Sequence, residues 1–459
     1  MARRSHPNLL FVFGDQWRGQ AVGYRGDPNA RTPQVDRFAA ESVDCVNAVA
    51  GTPVCCPYRA SLMTGQHPLT HGVFVNDVCI TSDAVPFAEC LNRAGYDTAY
   101  IGKWHVDGHG RAAFVPPERR LGFRFWRAFE CNHDYNASDY YGDSGSRQRW
   151  EGYDAEAQTR LACEVIRGHD QGRPLALFLS WGPPHDPYQT APAEFRGHYD
   201  PARIVLRPNV PEACAAQARQ WLAGYYAHIE ALDTYFGWLL AALRETGSED
   251  DTVVVFTSDH GDMLGSQGTW KKQKPWEESL RVPFLLRYPA RYGRAPRPVD
   301  ACLSTEDVMP TLLALCGAEV PPTVQGMAAT AALDGVAGSG PDSALLACHF
   351  PFHEWSPERG GKEYRGLRTR RYTYCRDLHG PWLLHDNSSD PYQQTNQVGD
   401  AALAAVRADL DRELNRRLER IGDSFRPGIE YLHQRRIRLN ERGDISIFPD
   451  RGPYLDGMR

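Results

Sequence analysis

The 459-residue chain lacks an apolar run long enough to cross a bilayer, and its most apolar early stretch, residues 9–13, falls far short of the roughly 20 residues a spanning helix needs. It has no block of like charge. With 51 basic against 57 acidic residues and a net charge of −6, it carries no polybasic footprint and gives no reason to expect a nucleic-acid partner. It has 12 cysteines but no Cys-x-x-Cys pair, which excludes a zinc ribbon or a thioredoxin-like site. Residues 1–8 lack the apolar segment and small-residue cleavage site of a signal peptide. Internal repeats and low-complexity tracts are absent as well. These absences predict a cytoplasmic chain with its cysteines as thiols and no membrane partner.

What is present points to an α/β architecture. Residues 9–13, 98–101, 174–180 and 252–257 are apolar runs of the kind that fills buried strands. Each ends in a polar cluster: Asp15 and Gln16; Lys103 and His105; His185 between prolines; Asp259 and His260. Open α/β sheets place their ligands at the carboxyl ends of strands. Residues 217–245 have apolar positions at helical spacing, and residues 305–317 read as a capped helix. Residues 106–155 read as a long irregular loop, whose Trp126, Tyr135, Tyr140 and Tyr141 could stack on a sugar or aryl ring. Within it, Cys131 and His133 suit a substrate-facing loop better than a metal site. Residues 318–343 read as a connection with little core. After residue 361 the pattern changes to short antiparallel strands (365–375 and 382–385) and a helix over 401–420, followed by a basic, aromatic tail. This divides the chain into a domain of residues 1–360 and a subdomain of residues 361–459 that contributes to a pocket rim.

The chain is organised around residues 55–65. Pro57 suits a first helical turn and Gly65 a helix end, so Cys55 sits just before a helix N-terminus, with Arg59 one turn further on. A thiol there is either an activated nucleophile or a residue about to be modified.

Cys55-x-Pro57-x-Arg59 with Thr64-Gly65 resembles the signature of the type I sulfatases. The resemblance extends through Gly102-Lys103-Trp104-His105, Ser258-Asp259-His260-Gly261 and Arg281-Val282-Pro283 to Leu384-His385-Asp386. It implies an alkaline-phosphatase-like mixed sheet between helices, with a smaller antiparallel sheet at the C-terminus. It further implies that a formylglycine-generating enzyme oxidises Cys55 to formylglycine, an aldehyde whose hydrate attacks the sulfur of a sulfate monoester on a carbohydrate or aryl alcohol. Asp15, Asp259 and His260 would hold one divalent cation together with an oxygen of modified Cys55. Family members commonly have a second acidic residue where Gln16 stands, and Asn where His260 stands. Gln16 can still ligate through its carbonyl oxygen. Oxygen-rich ligation favours calcium, and the imidazole makes manganese an alternative.

By the same resemblance, Arg59 assists the nucleophile, and Lys103 and Lys272 neutralise sulfate oxygens. His185 or Lys272 protonates the leaving oxygen. His105 takes the proton from the second hydroxyl, which expels sulfate. Lys272 is chosen over Lys271 and Lys274 by its spacing to Arg281-Val282-Pro283. Two other readings stand beside this one: a phosphonate monoester or phosphodiester hydrolase of the same superfamily, and an inactive relative that only binds. The residues leave the identity of the alcohol open and leave room for a homo-oligomer.

Overall fold

The computed structural model describes residues 6–439 and residue 445. The first five residues, read above for a leader, and most of the end of the basic tail lie outside the described residues.

A 10-stranded mixed sheet forms the body of the protein. Its centre consists of parallel strands β1 (Asn8–Asp15), β2 (Asp97–Lys103), β3 (Leu175–Pro184) and β4 (Thr252–Ser258), in the spatial order β4, β1, β3, β2. All four apolar runs therefore share one sheet, as expected. Register sets their ends level: Phe11 lies between Phe178 and Val255, and Asp15 and Lys103 emerge at one edge with Ser258. Every residue of β1 is buried because both faces of the sheet are covered. Leu9, Phe11 and Phe13 face one apolar layer, and Leu10 and Val12 face the other. Each such side chain contributes roughly 1.5–3 kcal/mol on burial.

Helix α1 (Cys55–Thr64) and helix α4 (Thr305–Leu315) cover the first face, and α2 (Asp154–Gly168) and α3 (Glu212–Glu245) cover the second. Cys55 is the first residue of α1, and the helix stops at Gly65, whose φ of +65° an L side chain would resist. Helix α4 opens with Ser304 and Asp307 capping each other. Beyond β4 lies antiparallel β5 (Phe284–Arg287).

A second, four-stranded antiparallel sheet follows: β6 (Ser343–Cys348), β7 (Tyr364–Thr369), β8 (Tyr372–Asp377) and β9 (Gly380–Asp386), with α5 (Ala404–Arg420) against it. It docks onto the chain leading to α1 through the Ala347 N–H, which donates to the Gly51 carbonyl (2.9 Å). Buried Arg368 reaches Glu277 with two hydrogen bonds of 2.8 and 3.1 Å.

Several local expectations differ from the structure. The loop over 106–155 contains short strands Phe125–Phe129, Asp139–Tyr141 and Arg147–Arg149, which extend the large sheet at its β2 edge. They are too short to show a period of their own. Trp126 and Tyr135 are fully buried and so are core, not ring-stacking rim residues. Tyr140 stacks on Trp150 and Tyr141 on Phe129. The run over 365–375 is a hairpin of two strands that turns after Thr369. The connection expected over 318–343 ends where β6 begins, so the small sheet recruits a strand from before residue 361.

Candidate active site

Strand ends and one helix start converge on Cys55. Its Sγ lies 3.2 Å from His260 Nε2, 3.3 Å from Lys272 Nζ, 3.6 Å from Asp15 Oδ1 and 3.9 Å from Lys103 Nζ. Burial and Asp15 push this thiol up, but Lys103, Lys272 and His260 outweigh them and hold it well below its ordinary value. Neighbouring Cys56 behaves oppositely: burial raises it.

The carboxylates are arranged by their outer oxygens. Arg59 bridges Asp15 Oδ2 (3.2 Å) and Asp259 Oδ2 (3.1 Å), and Lys103 Nζ lies 2.5 Å from Asp15 Oδ2. Arg59 itself is anchored on the Lys103 carbonyl and Ser180 Oγ, each at 2.7 Å. The inner oxygens, Asp15 Oδ1 and Asp259 Oδ1, each lie 3.7 Å from His260 Nε2. Burial raises Asp15, but Lys103, His185, Lys272 and Arg59 bring it well below the usual carboxylate range. Burial and the Asp15 charge push Asp259 the other way.

This donor set could hold a metal ion. The ligand atoms of Asp15, Cys55, Asp259 and His260 all lie within 4.8 Å of one another. His260 Nδ1–H donates to the Gly261 carbonyl (3.0 Å), so Nε2 is the nitrogen turned to the cluster and the one whose lone pair a cation would take. Gln16 Oε1 is buried without a hydrogen-bond partner, an open acceptor of the kind a cation would satisfy. The residues present therefore fit a divalent cation.

The remaining expected residues stand around this centre. His185 Nδ1 is 2.7 Å from the Asp186 carbonyl, and its ring stacks on His133 with centroids 4.4 Å apart. Burial, then Lys272 and His133, lower its pKa well below the ordinary value. His105 stands in a second cluster with Cys56 and Asp77, its Nε2 3.0 Å from Asp77 Oδ1 and its Nδ1 buried without a partner. Asp77 is also gripped by Arg111 at 2.9 and 2.7 Å. Cys131, on the loop read as substrate-facing, lies 3.6 Å from His133 Nε2. Lys271 Nζ lies 3.3 Å from Asp186 Oδ2, and buried Lys274 donates to the Trp270 carbonyl at 2.6 Å.

Sequence reasoning missed Asp77, Ser180, Tyr188 and Asp262. Only Asp262 had a signal, its place four residues after Ser258 at the end of β4.

Comparison with known proteins finds relatives over most of the chain. The family model Sulfatase matches residues 7–318, and the model N-sulphoglucosamine sulphohydrolase, C-terminal, matches residues 265–420. An ulvan-active sulfatase of Formosa agariphila is 40% identical over 93% of this chain and 84% of its own length. An endo-4-O-sulfatase of Bacteroides thetaiotaomicron is 29% identical over 92% of this chain and 93% of its own. A solved structure from work on glycosaminoglycan metabolism in the same organism superposes with a TM-score of 0.83 at 29% identity, covering 94% of this chain and 99% of that one. A phosphonate monoester hydrolase of Agrobacterium radiobacter shares the fold, with a TM-score of 0.72 at 24% identity over 95% of this chain and 99% of its own.

Proposed function

The chain belongs to the sulfatase family and is a sulfuric ester hydrolase, and on that premise we propose that its substrate is a sulfated saccharide and its nucleophile is Cys55 matured to formylglycine. The observation that carries this reading is the surround of Cys55: the ammonium groups of Lys103 and Lys272, the carboxylates of Asp15 and Asp259, and the imidazole of His260. The saccharide assignment is supported by relatives named for ulvan and for 4-O-sulfate. Maturation would need a formylglycine-generating enzyme that reads Cys55, Pro57 and Arg59.

Calcium is the ion proposed for the cluster, with manganese the alternative that His260 favours; bound, it would acidify the nucleophilic hydroxyl and offset sulfate charge. As a formylglycine hydrate, position 55 would supply one hydroxyl to attack sulfur and a second to expel sulfate and restore the aldehyde. The side chains then have these tasks. Arg59 holds the outer carboxylate oxygens, so the inner ones of Asp15 and Asp259 stay turned to the centre. Lys103 and Lys272 meet the sulfate oxygens as charge builds on them. His185 has its Nδ1–H committed to the Asp186 carbonyl, so Nε2 is the nitrogen left for the leaving oxygen and would carry a proton for it only in the imidazolium form; the ammonium of Lys272 is the other proton source proposed at that position. His105 has Asp77 on Nε2, and Nδ1, the nitrogen without a partner, would take the proton of the second hydroxyl from the neutral form of the ring.

The C-terminal subdomain, residues 361–459 in the division above, would support the pocket rim. The Tyr392 and Gln393 carbonyls accept from Gln267 on the loop that carries Lys272. The reading includes a cytoplasmic location, supported by the cysteines standing as free thiols. No helix among the described residues is long and apolar enough to cross a membrane.

A panel assay tests the proposal: metal-loaded protein with sulfated oligosaccharides, aryl sulfates, choline sulfate and a phenyl phosphonate ester, read by released anion. The highest kcat/KM is expected on a sulfated oligosaccharide. Turnover confined to choline sulfate or to the phosphonate ester would reject it.

A further inference from the structure

Gln16 is an unusual ligand candidate because an amide has two ends, and only one can face a cation. Its environment decides which. Gln16 Nε2 donates to Asp262 Oδ2 at 2.6 Å, and the same oxygen accepts from Tyr188 Oη at 2.6 Å. Oδ2 accepts both bonds, so the amide gives it the NH2 and turns Oε1 the other way. Oε1 is indeed the end left buried and unpartnered. The backbone is fixed too: Gln16 sits at φ +72°, with Tyr225 Oη on its carbonyl (2.8 Å) and its N–H on Asp259 Oδ1 (3.0 Å). Asp262 is fully buried, and its other oxygen accepts from the N–H groups of Leu264 (3.2 Å) and Lys271 (3.0 Å).

We infer that Asp262 is the positioning residue that makes Gln16 an oxygen ligand, by holding the NH2 end of its amide away from the cation. By gripping the Lys271 N–H, the same carboxylate sets the turn that delivers Lys272 to Cys55, so ligand and lysine are held by one side chain. Tyr188 shares the Oδ2 oxygen and fixes the carboxylate's rotation.

The inference rests on the cation site proposed above, and the test separates the two. Apo protein is prepared with a chelator and titrated with Ca2+ alone and with Mn2+ alone, with bound metal read calorimetrically and by elemental analysis. Asp262→Asn should weaken cation binding by about 10- to 100-fold, because an amide facing an amide no longer selects its orientation. Gln16→Glu alone should also weaken it, since two carboxylates would then face each other at the distance of a hydrogen bond. The double variant Gln16→Glu/Asp262→Asn reverses the donor and acceptor and should recover near-wild-type affinity, a non-additive rescue that damage to packing would not produce. Tyr188→Phe should show a smaller loss than Asp262→Asn. Wild-type affinity in Asp262→Asn, or a double variant no better than the single ones, overturns the inference even if Asp262→Asn itself folds poorly. A wild-type protein that binds neither cation overturns the site reading, and this inference with it.

Discussion

Cys55 is the residue on which chemistry and environment agree most closely. Burial alone would raise its thiol, and it is lowered only because Lys103, Lys272 and His260 face it together. Peptide mass spectrometry after co-expression with a formylglycine-generating enzyme is expected to show an aldehyde at position 55 and an unmodified thiol at Cys56. Cys55→Ser should fold normally, with an unchanged urea midpoint, and lose multiple turnover, since serine has no second hydroxyl to expel sulfate. Full activity from protein whose Cys55 is still a thiol would remove the proposed nucleophile. Lys272→Ala withdraws the ammonium 3.3 Å from Sγ. Its kcat should fall by about 10²–10³, the range for losing one preorganised charge-stabilising donor. Asp259→Ala should bind no divalent cation and be inactive, with elemental analysis as the check.

At the scale of elements, the site depends on how closely β2 and β3 approach. Gly102 lies at φ +105°, and a Cβ there would meet the Ser180 carbonyl oxygen at 2.0 Å. The next residue is Lys103, whose carbonyl anchors Arg59, and Ser180 Oγ anchors the same guanidinium. Gly102→Ala therefore forces apart two strands that jointly hold Arg59. It should cost about 1–3 kcal/mol in urea unfolding, the range for overpacking a filled core. It should also lower kcat more than KM rises, because Lys103 and Arg59 shift while the rim does not. An alanine variant with wild-type stability would show that the strands can part without consequence.

Across the whole molecule, the C-terminal part is held together by buried charge between the small sheet and the chain that follows α5. Arg365 on β7 is paired with Asp423 just after α5, and Tyr431 Oη donates to the same carboxylate at 2.7 Å. Burial pushes Asp423 up, but Arg365 and His349 prevail and hold it below the usual carboxylate range. A depressed carboxylate stabilises the fold above its unfolded value of about 3.9, and that contribution is lost as pH falls toward the folded value. Asp423→Asn leaves Arg365 buried without its charge partner and should cost about 3–5 kcal/mol at neutral pH. The variant should also lose part of the acid limb of stability, so urea midpoints of the two proteins should converge as pH falls below about 4. Parallel curves across that range would assign the acid sensitivity to other carboxylates.

The sequence alone determined the parallel core of the sheet, because an apolar run followed by a polar cluster marks a buried strand and its ligand-facing end without help from the rest of the chain. It also determined the start and stop of the Cys55 helix, through Pro57 and Gly65, and, by resemblance to a family, most of the residues around Cys55. Tertiary structure alone decided which of those residues touch. The Oε1 of Gln16 is left buried without a partner because Asp262, 246 positions away, occupies the other end of the amide. His105 is oriented by Asp77, and His185 is paired in a stack with His133, neither of which a local pattern announces. The strands over 125–149 and β6 were illegible for a related reason. They are short pieces whose pairing comes from the sheet edge they meet, and a period of two cannot be read from three to six residues. Periodicity and end signals are local properties of a chain, whereas the orientation of a buried polar group is set by whichever distant donor or acceptor packing brings within hydrogen-bond reach.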